Sequence, residues 1–245
     1  MKLTLVEPKL LKESIAIISE LVTETQIHLS KDQLEVTAMD PANVAMVLFK
    51  MPQNSFAEYN VDKDTTIAIN LNNFKQILKR AKNTDVLSLE KAENKLKITL
   101  KEKSTRTFYL PLIDIEDKQQ KVPDLEFKSE VELESGFLNE AVEDVDIVGE
   151  SVTFATQDGK FKVSATGDLS NAEVIMNPDE DVKIKGNENH KSKYSTEYLK
   201  KMIHGSKLAS TATLKFSNDY PLFLEYKEQD RLSLGFILAP RVENE

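Results

Sequence analysis

The chain has 245 residues, of which 40% are hydrophobic, and this is enough for one large domain or two of ordinary size. The absence of cysteine excludes a disulfide framework and a thiolate metal site and suits a reducing compartment, and no apolar run approaches the roughly 20 residues that cross a bilayer. We therefore expect neither secretion nor membrane insertion. A net charge of -9 argues against nucleic-acid binding unless the basic residues gather on one face.

The first half of the chain begins with an amphipathic pattern at 9–22 that predicts a helix. Alternating apolar and polar residues then predict strands, and a second amphipathic pattern at 71–82 predicts another helix. The predicted strands are QIHLS, LEVTAM, VAMVLFKM, TTIAINL, VLSLE, KLKITL and TRTFYLPLI.

The second half repeats this order, with helices predicted at 136–148 and 195–207 and strands between and after them. Leu34, Val36 and Ala38 match Phe161, Val163 and Ala165 at one constant offset, and Phe74, Ile77 and Leu78 match Leu199, Met202 and Ile203 at a slightly smaller one. The polar, proline-containing stretch at 114–130 is typical of an interdomain connector. We predict two similar α+β domains, each with two helices on antiparallel sheets, at 1–115 and 131–245, joined by a connector at 116–130.

The predicted helices carry a repeated charge pattern. At 100° per residue, Lys75, Lys79 and Lys82 fall on one flank of the second helix, and the repeat places Lys200, His204 and Lys207 on the equivalent flank. Each flank alone has an ordinary interpretation as a solvated helical face. Like charges at this spacing repel by about 0.2–0.5 kcal/mol per pair, however, and a polyanion relieves that repulsion. The pattern favours contacts to phosphates that are independent of sequence and sensitive to salt.

The helix at 136–148 is acidic instead, with Glu140, Glu143, Asp144 and Asp146. One interpretation is again a solvated face. In the other, Glu140 and Asp144 pair with basic residues of a neighbouring subunit, and such head-to-tail contacts close into a ring when the rotation allows it. The basic partners on that surface are Arg80, Lys82 and Arg106.

Six segments, in this order and spacing, resemble the proliferating cell nuclear antigen (PCNA) family of sliding clamps, in its archaeal type. They are TAMDPANVAMV, INLNNFKQILKRAK, KVPDLEF, KYSTEYLKKMI, YPLFLEY and LAPRVENE, and the resemblance covers essentially the whole chain. It implies a trimeric, pseudo-sixfold ring whose twelve helices line a hole about 28 Å wide, given helices about 10 Å apart. It further implies a DNA polymerase processivity factor that encircles duplex DNA without sequence specificity and tethers replication and repair proteins.

Carried onto this sequence, the resemblance implies three groups of site residues. The DNA-facing residues are Lys9, Lys12, Lys75, Lys79, Arg80, Lys82, Lys200, His204 and Lys207. A pocket for client peptides comprises Met39, Asn43, Val44, Met46, Val122, Pro123, Leu125, Phe127, Pro221, Ile237, Ala239 and Pro240. The edge strands at 104–113 and 172–179 are expected to pair between subunits, since unpaired edges are a liability. The implied partners are double-stranded DNA, further copies of this chain, and a DNA polymerase, clamp loader, flap nuclease and ligase that carry a short peptide with a glutamine and aromatic residues.

An enzyme is not indicated, because the sequence has no phosphate-binding glycine-rich loop, no histidines at metal-ligand spacing and no cysteine nucleophile. His28 is expected to point outward from a strand, and His190 lies in the polar stretch NENHKSK. We expect no cofactor, no metal and an intracellular location, at the nucleoid in an archaeal cell. Two alternatives remain open: a subunit of a heterotrimeric or checkpoint-type clamp, and an interaction scaffold that does not bind DNA.

Overall fold

Alternating apolar side chains fold most of the chain into antiparallel strands, and a computed structural model describes residues 1–116, 120–186 and 188–241. The chain divides into two units. Unit 1 contains residues 1–41, 47–122 and 228–234. Unit 2 contains residues 42–46, 123–227 and the stretch that begins at Gly235.

Unit 1 carries two helices on two antiparallel sheets. Its strands are ordered β5-β1-β7-β8-β9 in one sheet and β4-β3-β2-β6 in the other. The elements are β1 (Lys2–Leu5), α1 (Lys9–Ile18), β2 (Glu24–Leu29), β3 (Gln33–Met39), β4 (Ala45–Pro52), a 3-10 helix at Gln53–Ser55, β5 (Glu58–Asn60), β6 (Thr65–Asn70), α2 (Leu71–Leu78), β7 (Val86–Ala92), β8 (Lys95–Lys101) and β9 (Thr105–Pro111).

Unit 2 has the same composition of elements. They are β10 (Ser129–Glu134), α3 (Ser135–Asp146), β11 (Ser151–Gln157), β12 (Lys160–Thr166), β13 (Asn171–Met176), β14 (Val182–Lys185), β15 (His190–Ser195), α4 (Thr196–Met202), a 3-10 helix at Ile203–Lys207, β16 (Thr211–Phe216), β17 (Leu222–Glu228) and β18 (Leu232–Leu238). The strand orders are β14-β10-β16-β17-β18 and β13-β12-β11-β15.

The strand orders of the two units correspond one to one when each strand of unit 1 is matched to the strand nine places later. The helices also correspond, since α1 and α3 each follow the first strand of their unit and α2 and α4 each follow the sixth. The prediction of two similar α+β domains, each with two helices on antiparallel sheets, is confirmed.

Each unit has its own apolar core. In unit 1 the inner sides of α1 and α2 bury Leu11, Ile15 and Phe74 to 1% exposure. In unit 2, Phe154 lies 5.7 Å from both Phe161 and Tyr194 between ring centroids. Since each fully buried side chain of this size stabilises the fold by about 1.5–3 kcal/mol, these faces determine which side of each helix is left for solvent.

All four helices are shorter than predicted, and the predicted bounds were wrong at their carboxyl ends. α3 ends at Asp146 rather than residue 148. α1 ends at Ile18 rather than residue 22, and α2 ends at Leu78 rather than residue 82. In both cases two successive amides after the helix, those of residues 20 and 21 or 80 and 81, donate to carbonyls three residues back, for example Ala81 to Leu78 at 2.9 Å, which tightens the last turn and ends the α-helix. α4 ends at Met202, and the rest of the predicted helix is the 3-10 helix.

Gly205 lies inside that 3-10 helix against the buried ring of Tyr226. A Cβ atom at this position would lie 2.1 Å from the Tyr226 Cδ2 atom, so the ring occupies the space of a side chain. Only glycine fits at this close approach.

Candidate nucleic-acid interface

The basic side chains of unit 1 lie on the outer side of the α1–α2 pair. The Asn70 side chain caps α2 by accepting a hydrogen bond from the Asn73 amide at 3.0 Å. Lys9, Lys79, Arg80 and Lys82 are exposed. The structure therefore brings four of the six basic residues predicted in this unit to the solvent.

The remaining two basic residues, Lys75 and Lys12, are half-buried, and each contacts an acceptor within unit 1. Lys75 is only 17% exposed at its side chain, and its Nζ lies 2.5 Å from Glu20 Oε1. Lys12 donates from Nζ to the Ala81 carbonyl at 3.1 Å, where a cation complements the carboxyl end of α2. Lys12 thus contributes to the packing of the two helices.

Lys82 is exposed but also has a carboxylate partner. Its Nζ lies 3.2 Å from Glu102 Oε2, and Glu102 accepts a second hydrogen bond from the Thr84 hydroxyl at 2.8 Å. The pKa of Glu102 is lowered by the Thr84 hydroxyl and by Lys82. The Lys82 ammonium therefore contacts both solvent and the Glu102 carboxylate of its own unit.

In unit 2, Lys200, His204 and Lys207 are all exposed. Lys200 Nζ lies 2.6 Å from Asp146 Oδ2 at the end of α3, and this contact raises the pKa of Lys200. His204 and Lys207 belong to the 3-10 helix rather than to α4. Successive side chains are therefore spaced at about 120° there instead of 100°.

A buried aspartate organises the segment after α2. Asp85 is fully buried, and its Oδ2 accepts hydrogen bonds from the Lys82 amide at 2.7 Å and from Arg106 Nη2 at 2.5 Å. The amide of Lys82, followed by the Arg106 guanidinium, lowers the pKa of Asp85. Arg106 Nη1 also donates to the Arg80 carbonyl at 2.9 Å. Arg106, predicted as an intersubunit residue, thus fixes the backbone that carries Arg80 and Lys82. No pattern in the sequence had indicated Asp85.

The predicted acidic residues Glu140 and Asp144 lie together on one side of α3. With Phe137, Val174 and Met176 they line a groove of about 260 Å³ between α3 and β13. Phe137 is 38% exposed at the rim of this groove. The groove combines apolar side chains with three carboxylates, those of Glu140, Asp144 and Asp179, which suits a basic partner.

Both predicted edge strands are edges in the structure. Within the described residues, β9 pairs only with β8 and β13 pairs only with β12. Each edge displays a large apolar side chain, Tyr109 at 56% exposure on β9 and Ile175 at 50% on β13. Unpaired amide and carbonyl groups beside exposed apolar side chains are typical of an interface.

The residues predicted for the client pocket belong mostly to unit 2. Its loop and carboxyl-terminal segment are joined by a hydrogen bond from the Ala239 amide to the Val44 carbonyl at 2.9 Å. Asn43 has a φ of 56°, a left-handed conformation that asparagine tolerates. Within unit 2, Met46 and Ile237 are buried, Asn43 and Pro123 are exposed, and Val44, Leu125, Phe127, Pro221, Ala239 and Pro240 are half-buried. In unit 1, Met39 is half-buried and Val122 is exposed.

Phe127 differs from Val122 and Leu125, the other two apolar residues predicted in the connector, because its ring packs against aromatic rings of unit 2. Its ring lies 5.9 Å from the Tyr220 centroid in an edge-to-face arrangement and 6.3 Å from the Phe223 centroid. It therefore anchors the connector to unit 2. Residues 117–119 of the connector and 242–245 of the last resemblance segment lie outside the described residues.

His190 is buried, although its neighbours in the sequence are polar. Its Nδ1 lies 2.9 Å from the Ser129 hydroxyl, which in turn lies 2.9 Å from the Thr156 hydroxyl. The alternation of β15 turns His190 inward, and the two hydroxyl residues satisfy it. His28 is only half-buried and contacts the Thr66 hydroxyl, as expected of an outward strand residue.

Comparison with known proteins agrees with this two-unit architecture. The family model described as proliferating cell nuclear antigen, N-terminal domain, matches residues 1–121, and the model of the C-terminal domain matches residues 121–241. The chain is 36% identical over 233 residues to the DNA polymerase sliding clamp of Thermococcus fumicolans, covering 94% of both chains. It is 36% identical over 228 residues to that of Pyrococcus furiosus, covering 92% of both.

The fold shows the same relationship. A crystal structure of PCNA from Thermococcus kodakaraensis superposes with a TM-score of 0.92 and 26% identity, over 98% of this chain and 99% of that one. The two matched domains and the names of the relatives define the class of the DNA sliding clamps. The chain belongs to the proliferating cell nuclear antigen family.

Two features are absent from residues 1–116, 120–186 and 188–241: a membrane-spanning helix and a metal-ligand cluster. None of the helices found there is long and apolar enough to cross a membrane. In the same part of the chain, no group of three or more histidine, aspartate or glutamate side chains is arranged to hold a metal ion.

The Asp85–Arg106 contact predicts a stability effect. Arg106→Ala should destabilise the protein by about 2 kcal/mol, because the buried Asp85 carboxylate loses a charged hydrogen-bond donor. Arg231→Ala is the matched control, since Arg231 pairs at 3.2 Å with a Glu7 that is 69% exposed, and exposed pairs contribute about 1 kcal/mol or less. Urea unfolding measures both, and equal losses would show that Asp85 does not depend on Arg106.

Proposed function

We propose that the chain is the subunit of a DNA sliding clamp, which encircles duplex DNA without reading its sequence and holds a DNA polymerase to it. The observation that carries this proposal is the repeated helix pair, since each of two similar units leaves basic side chains exposed on its helices. The names of the relatives, DNA polymerase sliding clamps, support it.

Lysine suits the contact that a sliding protein needs. An ammonium group is a compact point charge that binds phosphate without fixed geometry, whereas base recognition uses planar groups aimed at base edges. Contacts from residues such as Lys79 and Lys207 would therefore be weak, independent of sequence and sensitive to salt. Enclosure of the duplex would supply the retention, which reconciles DNA binding with a net charge of -9.

Enclosure requires several copies of the chain, and we propose a homotrimeric ring. The edge strand β9 would pair with β13 of the next subunit, so that both edges disappear. Arg80 and Lys82, held next to β9 through Arg106, would face Glu140 and Asp144 beside β13. Like-signed groups would meet if β9 or β13 paired with itself, so the charges favour the head-to-tail contact.

Clients would bind at the unit 2 pocket. Half-buried apolar side chains at Val44, Leu125 and Pro240 offer a surface for a short extended segment with aromatic residues and an anchoring glutamine. A polymerase, clamp loader, flap nuclease or ligase with such a segment would gain local concentration on DNA. The clamp would act inside the cell, by tethering rather than by catalysis.

The first test is retention on closed DNA. The free protein should have the mass of a trimer in solution. Once loaded on a nicked circular plasmid, it should elute with the plasmid at a salt concentration that abolishes phosphate contacts. Cutting the plasmid once should release it, because a linear duplex lets the ring slide off. Equal retention on circular and linear DNA would contradict enclosure, and a stable monomer would contradict the homotrimer.

The second test concerns ring closure. Glu140→Lys with Asp144→Lys should convert the trimer to monomers, measured by light scattering, because the proposed interface would then join like charges. Adding Arg80→Glu and Lys82→Glu to the same chain should restore the trimer. Glu143→Lys is the control, since Glu143 is exposed on α3 but does not line the groove beside β13. The proposed interface would be contradicted if the Glu140→Lys/Asp144→Lys variant remained a trimer, or if only the Glu143→Lys control became monomeric.

A further inference from the structure

One ion pair recurs at equivalent positions in the two units. In unit 1, Lys75 of α2 contacts Glu20, two residues after the end of α1, at 2.5 Å. In unit 2, Lys200 of α4 contacts Asp146, the last residue of α3, at 2.6 Å. Lys75 and Lys200 each follow a matched core residue, Phe74 or Leu199, so they occupy the same place in the repeat.

Each flank also carries a lysine that is not paired with a carboxylate among the described residues. Lys79, four residues after Lys75, and Lys207, seven residues after Lys200, are exposed, and the repeat matches them to His204 and Lys82. Within the described ranges, neither has a carboxylate at ion-pair distance. On this flank each unit therefore carries both a lysine held by an acid at the end of the helix pair and a lysine without one, and in unit 1 Lys82 is held as well, by Glu102. The acids that hold the first kind differ, one being glutamate and the other aspartate. Asp146 is the last residue of α3, and Glu20 lies two residues after the last residue of α1.

We propose that Glu20 and Asp146 are built-in competitors for phosphate, which keep the grip of Lys75 and Lys200 on DNA weak enough for sliding. This inference rests on the proposed function. A lysine that leaves a phosphate can return to its own carboxylate, so its release does not leave the ammonium without a partner. Conversely, a phosphate must displace the carboxylate to recruit the lysine.

The strength of exposed ion pairs fits such a role. Pairs of this kind are weak, screened by salt and broken by competing anions. They would therefore reduce the affinity of each engaged lysine for phosphate by about two- to fivefold without removing it from the contact. A stronger, buried pair would remove the lysine altogether. Lys200 is 51% exposed and Asp146 32% exposed, whereas Lys75 is 17% and Glu20 44% exposed, so the unit 2 pair is the more open to displacement and the unit 1 pair is reached mainly from the Glu20 side.

The competing explanation is that the two pairs only fasten the end of one helix to the next. The two explanations differ in what happens when the acid alone is neutralised. A fastening pair predicts lower stability and unchanged DNA binding. A competitor predicts tighter DNA binding that depends on the lysine being present.

The experiment compares the intact ring with Glu20→Gln/Asp146→Asn on a short fluorescent duplex, by anisotropy. We expect the variant to bind several-fold more tightly, with a steeper dependence of log K on log salt between about 50 and 200 mM, because additional lysines engage phosphates at once. On stretched DNA the loaded variant should diffuse more slowly.

Two controls distinguish tighter binding through Lys75 and Lys200 from a general effect of the change in net charge. Glu58→Gln/Glu132→Gln makes the same change in net charge, one acid in each unit, at the sheet-surface pairs Lys2–Glu58 and Lys183–Glu132, and should leave affinity near that of the parent. The second control places Glu20→Gln/Asp146→Asn in a Lys75→Ala/Lys200→Ala background, where the gain should vanish.

The outcomes are distinct. A gain that is equal in the sheet-surface control, or that persists without the two lysines, overturns the inference, as does unchanged affinity and diffusion. Failure of the parent protein to be retained on circular DNA overturns the proposed function instead. Trimer mass and urea unfolding of every variant show whether a change in binding reflects altered assembly or folding.

Discussion

The burial of one side of each helix is the constraint on which the rest of the structure depends. Leu11, Ile15 and Phe74 in unit 1, like Leu138 and Leu199 in unit 2, are at most 1% exposed, and each would cost about 1.5–3 kcal/mol to expose. Rotation of a helix about its axis would lose several such contacts together. The opposite side of each helix, which carries the lysines, is therefore fixed toward solvent by the core and not by any contact of the lysines themselves.

On that solvent side, the basic side chains differ in whether a carboxylate of the same unit holds them. Some cations are free, such as Lys79, and others are held by carboxylates, such as Lys75 and Lys200. Beside them, the buried Asp85 and the Arg106 guanidinium hold the backbone that follows α2. The predicted DNA surface and the predicted subunit contact thus share one short segment, residues 79–85. A change in this segment would be expected to affect both.

The fold was predictable because its signals are local and repeated. Apolar alternation identified most strands, and the internal repeat predicted the two similar domains before any pairing was known. Five short strands were missed: β1, β5, β10, β14 and β15. β5 has three residues and β14 has four, too short for a pattern, while β15 reads as polar because its inward positions are His190, Ser192 and Tyr194. Hydroxyl groups that satisfy one another in the interior cannot be recognised from alternation of hydrophobicity.

The candidate site was predictable in position but not in pairing. The helical periodicity placed Lys79 and Lys207 correctly on the exposed side, because periodicity reports direction from the axis. It carries no information about contacts between segments far apart in sequence. Lys82 with Glu102, Arg106 with Asp85 and Lys12 with Ala81 are such contacts, and only the folded chain reveals them.

The central claim is that both units present their exposed lysines to the same duplex, and site-specific crosslinking measures this directly. The chain has no cysteine, so Lys79→Cys, Lys207→Cys and Lys183→Cys each introduce a single attachment point for a photoreactive group. On a circular plasmid, we expect crosslinks to DNA from positions 79 and 207 and none from position 183, which lies on the sheet strand β14. Crosslinks from only one of the two helix positions, or equal yields from all three, would contradict the account.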